Sequence, residues 1–222
     1  MDTKTQALVH KVIEAHGGLE NAGRFKTFKL HAKIGGAIWP MKGHPNALSD
    51  VEFIGSLKEQ KGSWKHLFHE GYTSSFVPEK VVLFDSEDQI LEDLLVPRES
   101  FIGHIVETPW SRSQLVYFSS YATWNYATAP FNFLVPGVEI NRLDDWNEQG
   151  ETLQRLEVFY PEGFATHSKR GSSATQIIED HKNFDGIITG TKRNIYVLND
   201  EDNTYQTDLV LVSIDILDVN FQ

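Results

Sequence analysis

The chain has 222 residues, 40% of them apolar and 12% aromatic, with 20 Lys and Arg against 31 Asp and Glu for a formal charge of −11. That length fits one domain, 1–222, and 14 Phe, 7 Tyr and 5 Trp carry enough buriable area to exclude disorder. The absence of cysteine excludes disulfides, thiolate metal sites, iron–sulfur clusters and a cysteine nucleophile, and the acidic balance argues against nucleic acid, which needs a basic face to displace counterions.

No apolar run follows Met1 to Gln6, so neither a secretory signal nor a lipoprotein leader is expected there. No stretch of about 18 apolar residues is available to cross a bilayer. The expectation is a cytoplasmic protein without stable membrane insertion. Residues 2–16 read as a helix, with Asp2 or Thr3 as cap, Leu8, Val12 and Ala15 on one face, and Gly17-Gly18 as the stop. Period two then takes over: 28–34 alternates apolar and basic residues, and Gly35-Gly36 reads as a bend bringing Ile38 and Trp39 in at a new angle. Further strands are predicted at 51–54, 63–69, 74–77, 81–84 and 89–96.

The central segment differs. Thr108-Pro109-Trp110 reads as a helix start; Leu115, Phe118, Ala122 and Tyr126 recur at helical spacing, and Pro130 ends the run. Tyr117, Tyr121 and Trp124 occupy other faces, which predicts a helix covered on several sides. Strands follow at 138–143, 153–160, 187–198 and 207–221, the last two joined by a hairpin loop at 199–203. Two helices and nine or ten strands predict an α+β fold, mainly antiparallel β, with a curved sheet wrapping the central aromatic helix and an N-terminal helix beside it. Asp85, Glu87, Asp88, Asp144, Asp145, Glu148, Glu151, Asp200, Glu201 and Asp202 fall in predicted turns, where acidic residues serve turn geometry and solubility. None of these turns has the alternating oxygen ligands and final Glu of a calcium loop, so no metal is expected.

From Ile13 onward the residues resemble a bacterial family of mostly uncharacterised proteins. The pieces that carry the likeness include Glu14-Ala15-His16-Gly17-Gly18-Leu19-Glu20, Ile34-Gly35-Gly36-Ala37-Ile38-Trp39 and Pro97-Arg98-Glu99-Ser100-Phe101-Ile102-Gly103-His104. Thr108-Pro109-Trp110, the run from Tyr117 to Tyr126, Pro130-Phe131, Pro136-Gly137, Ala165-Thr166-His167-Ser168 and the run from Asp180 to Ile187 complete it. The family is similar in architecture to LolA-type lipoprotein carriers. That resemblance implies an antiparallel half-barrel closed by helices around an apolar cavity. Against relatives, this chain has a short connection at 169–176 in place of a strand pair, and Gly190 where a proline is usual. The first departure predicts a shorter sheet or a more open cavity on that side.

Several constellations could carry chemistry. Arg98, Ser100 and His104 sit in a Pro/Gly-bounded loop before the aromatic helix, where Arg98 could clamp a carboxylate or enolate and His104 shuttle a proton. Asp180-His181 suggests a dyad, but neighbouring side chains diverge, so His181 would need a partner such as His167 or Glu157. His66 and His69 point to opposite faces of a strand. Ser100, Ser168, Ser172 and Ser173 lack a Gly-x-Ser-x-Gly elbow. No Gly-x-Gly-x-x-Gly or Walker loop is present, and Gly186 and Gly190 read as a turn and a bulge, so no cofactor is expected.

The aromatic set is the main functional pointer. Trp39, Trp110, Tyr121, Trp124, Tyr126 and Phe131 either form a large core or line a pocket for a small hydrophobic or aromatic molecule. The leading expectation is a cofactor-independent enzyme of isomerase, cyclase or lyase type. In it His104 or His181 moves a proton and Arg98 stabilises negative charge. The alternative is a non-catalytic carrier of a lipid or other hydrophobe. A homodimer or scaffold built on exposed sheet edges is the third option.

Overall fold

The carboxylate of Asp2 accepts the Thr5 backbone N–H at 2.8 Å, so helix α1 spans Thr3–Ala15 as its cap signal predicts. At Gly17, φ is +111° and an added Cβ would lie 2.1 Å from the Gly186 carbonyl oxygen, so only glycine lets the chain turn there into α2 (Gly18–Ala22). The computed structural model describes residues 1–68, 71–148, 150–161, 163–165, 174–199, 204–205 and 207–222. Then come β1 (Thr27–Gly35), α3 (Ile38–Met41), β2 (Val51–Ser56), β3 (Gly62–Lys65), β4 (Thr73–Val77), β5 (Lys80–Phe84) and β6 (Ile90–Leu95). A 3-10 turn at Pro97–Phe101 precedes α4 (Arg112–Thr128), and another at Phe131–Leu134 follows it. The remaining strands are β7 (Glu139–Glu148), β8 (Glu151–Phe159), β9 (Ala174–Phe184), β10 (Ile187–Val197) and β11 (Val212–Phe221).

Nine strands form one open antiparallel sheet in the order β6-β5-β4-β3-β2-β1-β11-β10-β9, and β7 and β8 form a separate hairpin. The expected class therefore holds: α+β, mainly antiparallel, with a sheet around a central helix. Alternate residues of β1 (Phe28, Leu30, Ala32 and Ile34) are buried, and so are Val51, Phe53, Trp64, Phe76, Val81 and Leu83 on the following strands. The N-terminal half of α4 packs on this face through Leu115, Val116 and Tyr117. Each large side chain taken fully out of water there contributes about 1.5–3 kcal/mol. α4 is buried on several sides, as its all-round aromatics predict. A smaller cluster, Val9 and Ile13 against Ile140, docks α1 on the hairpin. Among the described residues, no helix is long and apolar enough to cross a membrane.

Several boundaries differ from those predicted. The strand expected over 63–69 stops at Lys65, because His66 and Phe68 take positive φ; His69 lies outside the described residues. β9 has no counterpart in the prediction, since its burial pattern shows no apolar face. β11 begins at Val212 rather than 207, and α2 and α3 are too short to give a periodic signal. Asp144 and Asp145 lie not in a turn but at a register shift within β7, where Arg142 pairs with Asp145 at 3.0 Å. Gly186 does turn the chain between β9 and β10, with φ +88°. Gly190, however, pairs regularly with His181, and the irregular position is its neighbour Asp180, at φ +54°. The expected loop residues Asp200, Glu201 and Asp202 lie outside the described residues.

Charge pairs on the sheet's outer face give an acid-sensitive contribution. Lys29 Nζ lies 2.6 Å from Glu52, and His31 lies 2.6 Å from Asp50. These partners hold both carboxyl groups below the usual carboxylate range, through a hydrogen bond first in each case. A carboxyl whose folded pKa is depressed stabilises the fold above its unfolded value, about pH 4, and that contribution disappears as pH falls through the folded value. Glu52→Gln is therefore expected to cost up to about 1 kcal/mol at pH 7 and close to nothing at pH 2.5, read from urea midpoints at the two pH values.

Candidate functional site

The loop before α4 is built by a buried lysine. Lys42 Nζ donates to the carbonyls of Val106 and Thr108, the latter at 3.1 Å, and lies 4.9 Å from the centre of the Trp110 ring. Burial pushes this ammonium below its ordinary value, with Glu107 acting in the opposite direction. A ring nitrogen of His44 sits 2.7 Å from the Trp110 carbonyl. The helix cap is Ser111 rather than Thr108: its hydroxyl accepts from Gln114 N–H at 3.1 Å, and the Gln114 side-chain carbonyl accepts from Ser111 N–H at 2.9 Å. This reciprocal pair satisfies two otherwise orphaned donors. Thr108, Pro109 and Trp110 thus belong to the approach to the helix.

Most of the predicted aromatic residues form core. Trp39 is buried and donates Nε1–H to the Gly35 carbonyl at 2.9 Å, and Trp124 donates to the Ser56 carbonyl at 2.7 Å. Phe118 joins Trp39, Trp110 and Tyr121 at ring separations of 6.2, 4.9 and 5.5 Å. Beside this cluster, Phe101 touches Trp110, Tyr117 and His104, each edge-on or tilted. His104 Nδ1 is buried there without a hydrogen-bond partner. Arg98 is exposed, donates to the Phe164 carbonyl at 3.5 Å, and lies near enough to Tyr117 and Tyr121 to favour their phenolates, against the burial that raises both phenols.

The structure therefore gathers Trp39, Trp110, Tyr121, His104 and Arg98 around the first turns and middle of α4, whereas Trp124 and Tyr126 lie in its C-terminal half and Phe131 in the 3-10 turn that follows. His181 stands apart, exposed on β9 at the sheet end opposite β6. Its neighbour Asp180 binds Lys182 and Thr191, so the adjacent pair forms no dyad. His167 lies outside the described residues, as do Ser168, Ser172 and Ser173. Ser100 is tied to the Pro97 carbonyl at 2.6 Å and to Gln114 at 3.0 Å. Among the described residues no three His, Asp or Glu side chains are placed to hold a metal.

A second region lies between the C-terminal half of α4 and the inner face of β1, β11 and β10. Leu30 and Ile34 of β1 and Ile214 and Ile216 of β11 wall one side, and Thr123, Tyr126 and Ala127 wall the other, around a void of about 10 Å³. Farther along, past Thr128, an apolar cleft of about 180 Å³ opens among Phe25, Leu57, Phe131, Ile187 and Phe221, with Lys58 also in its lining.

Arg193 projects from β10 into this seam and is only 6% exposed. Its Nη1 donates to Gln176 Oε1 at 3.4 Å and its Nη2 to the Tyr126 carbonyl at 3.3 Å, and its guanidinium lies 5.4 Å from the Tyr126 ring centre. Burial lowers its pKa to about 10, with Tyr126 acting in the opposite direction, so the group stays charged at neutral pH. No carboxylate among the described residues forms an ion pair with it. Arg193 was not among the residues singled out from the sequence as candidates. Strand alternation carried the signal, since it shares a face with Ile187, Thr191 and Ile195.

A LolA superfamily protein from Nitrosomonas europaea superposes on this chain with a TM-score of 0.50 at 10% identity, covering 98% of this chain and 93% of the other. The fold is LolA-like. No protein-family model matches the chain, and no curated protein matches it significantly. At 10% identity the likeness fixes architecture and leaves function to the site itself. The LolA-like sheet is open here, ending at β6 and β9 among the described residues, and the seam lies on the β1–β11–β10 side of its inner face. The short connection expected at 169–176 is described only from Ala174 onward.

Proposed function

We propose that this LolA-like half-barrel binds a small hydrophobic molecule in the seam between the C-terminal half of α4 and strands β1, β11 and β10, and acts as its carrier. The observation that carries the reading is the apolar cleft of about 180 Å³ past the C-terminal end of α4. Burial of an apolar body in such a cleft supplies affinity of roughly 25 cal/mol per Å² removed from water, before the cost of association. The fold is consistent with such a ligand. Native mass spectrometry of gently purified protein is expected to reveal a retained small molecule. Ala22→Trp, which puts a large ring at the rim of the cleft, is expected to reduce retention about tenfold with little change in melting temperature. Equal retention by Ala22→Trp and the parent protein would place the ligand elsewhere.

A second reading is favoured by one observation: the buried, unpartnered Nδ1 of His104 beside Phe101, close to Tyr117. This reading is a cofactor-independent proton-transfer enzyme of isomerase, cyclase or lyase type, in which His104 moves the proton and Arg98 supports a phenolate or enolate. It requires that the retained molecule be turned over and that Arg98→Met and His104→Gln each slow turnover. Unchanged turnover in both variants removes this reading and leaves the carrier.

A further inference from the structure

Among the described residues, the seam holds one cation, Arg193, and no anion to balance it. A guanidinium has five N–H donors; Arg193 spends two on bonds of 3.4 and 3.3 Å, longer than the 2.7–2.9 Å or so typical of charge-assisted pairs. One of the two contacts is structural: the Tyr126 carbonyl lies in the last turn of α4, where a cation suits the helix dipole. That contact leaves Nε–H unexplained, because it is buried with no partner. The side-chain amide of Gln176 turns its oxygen to Arg193 and leaves its own Nε2 buried and unpartnered as well. Two buried, unpaired donors thus stand on neighbouring strands, on side chains already in contact, with Arg193 lining the aliphatic void. Leaving such groups buried and unpaired destabilises the site, and a water in a void of this size could satisfy only part of the set.

We infer that the ligand of the seam is an apolar monocarboxylic acid whose carboxylate pairs with Arg193 and Gln176 while its hydrocarbon body runs along α4 toward the cleft at Phe131. This inference rests on the carrier reading and specifies its ligand. A monoanion matches the site because, among the described residues, the seam offers a single buried positive charge; a phosphate dianion would leave a second buried charge without a partner. A neutral alcohol or hydrocarbon fits the aliphatic walls but leaves the guanidinium uncompensated. A carboxylate takes Nε–H and one Nη–H side by side, and the structural contact with the Tyr126 carbonyl stays in place.

The test compares dodecanoic acid with dodecanol, and parent protein with Arg193→Gln, in titrations followed by tryptophan fluorescence and native mass spectrometry. The parent protein is expected to bind the acid at least about tenfold more tightly than the alcohol, and Arg193→Gln to bind both within about twofold of each other. Equal binding of acid and alcohol by the parent protein overturns the carboxylate assignment and leaves the carrier reading standing. Retention of the acid preference by Arg193→Gln overturns the assignment to Arg193. Binding of neither compound by the parent protein overturns the carrier reading itself. The acid-to-alcohol comparison on the parent protein needs no variant, so the inference stays open to refutation even if Arg193→Gln fails to fold.

Discussion

Trp124→Ala is expected to lose about 3–5 kcal/mol of folding stability, the range for emptying a buried aromatic site. The side chain is 1% exposed, its ring meets Phe164 edge-on at 5.9 Å, and its Nε1–H is bonded to the carbonyl of Ser56, the last residue of β2. The packing and the hydrogen bond can be separated. Trp124→Phe keeps most of the volume but strands the Ser56 carbonyl, so it is expected to cost only about 1–2 kcal/mol. Urea denaturation of the three proteins gives both figures, with unchanged m-values marking a loss of stability rather than a change in the denatured state. A cost below about 1 kcal/mol for Trp124→Ala would mean that this ring is replaceable and that α4 is held mainly at its N-terminal half. The position matters for the seam because Trp124 fixes the same stretch of helix from which Thr123, Tyr126 and Ala127 face the void.

Gly36→Ala is expected to cost about 3 kcal/mol or more, through two effects that act together. Its φ of +115° is one that L side chains rarely adopt, and an added Cβ would lie 2.4 Å from the Leu211 carbonyl oxygen and 2.7 Å from Val212 Cα. Both atoms are backbone, so neither can swing aside as a side chain would. The same stretch is stitched by Ala37 N–H to the Val210 carbonyl and Ile38 N–H to the Leu211 carbonyl, at 3.0 and 3.1 Å. Relief of the clash would break these bonds and release Trp39 from its seat. Gly55→Ala is the contrasting substitution, because its nearest obstacle is the tip of the Phe28 side chain at 2.4 Å rather than backbone, and no positive φ adds to the clash. Thermal unfolding of both variants is expected to place Gly36→Ala lower. The reverse order would show that the backbone at 36 and 211 yields more readily than a core ring.

The architecture was legible wherever burial has one side. β1, β2, β4 and β5 alternate buried with less buried residues, and period two in the sequence placed each within a residue or two. β9 was not legible: as an end strand it buries nothing on alternate positions, so Ala174 to Phe184 carries no pattern to find. The all-round aromatics of α4 correctly signalled a covered helix, yet composition alone cannot tell an aromatic wall from an aromatic core. The backbone carbonyls of Gly35 and Ser56 settle the matter for Trp39 and Trp124, and those pairings exist only in three dimensions. Arg98 and His104 were visible because a Pro/Gly-bounded loop stands out. Arg193 was overlooked because a cation in a strand reads as solvent-facing until the residues sharing its face are counted.

The centre of the sheet joins two strands far apart in the chain, β1 and β11. β1 pairs β11, Phe28 lies opposite Phe221, and the Gln222 carbonyl accepts N–H groups of Lys26 and Thr27. Strands β1 to β6 can zip together in order of synthesis, but β9 and β10 connect to them only through β11. During translation, one side of β1 therefore waits with bare amides and carbonyls until β11 is made. Such long-range pairing slows folding and prolongs the exposure of a sticky edge. The seam inherits the same schedule: Leu30 and Ile34 come from β1, Ile214 and Ile216 from β11, so its walls stand together only after β11 has paired.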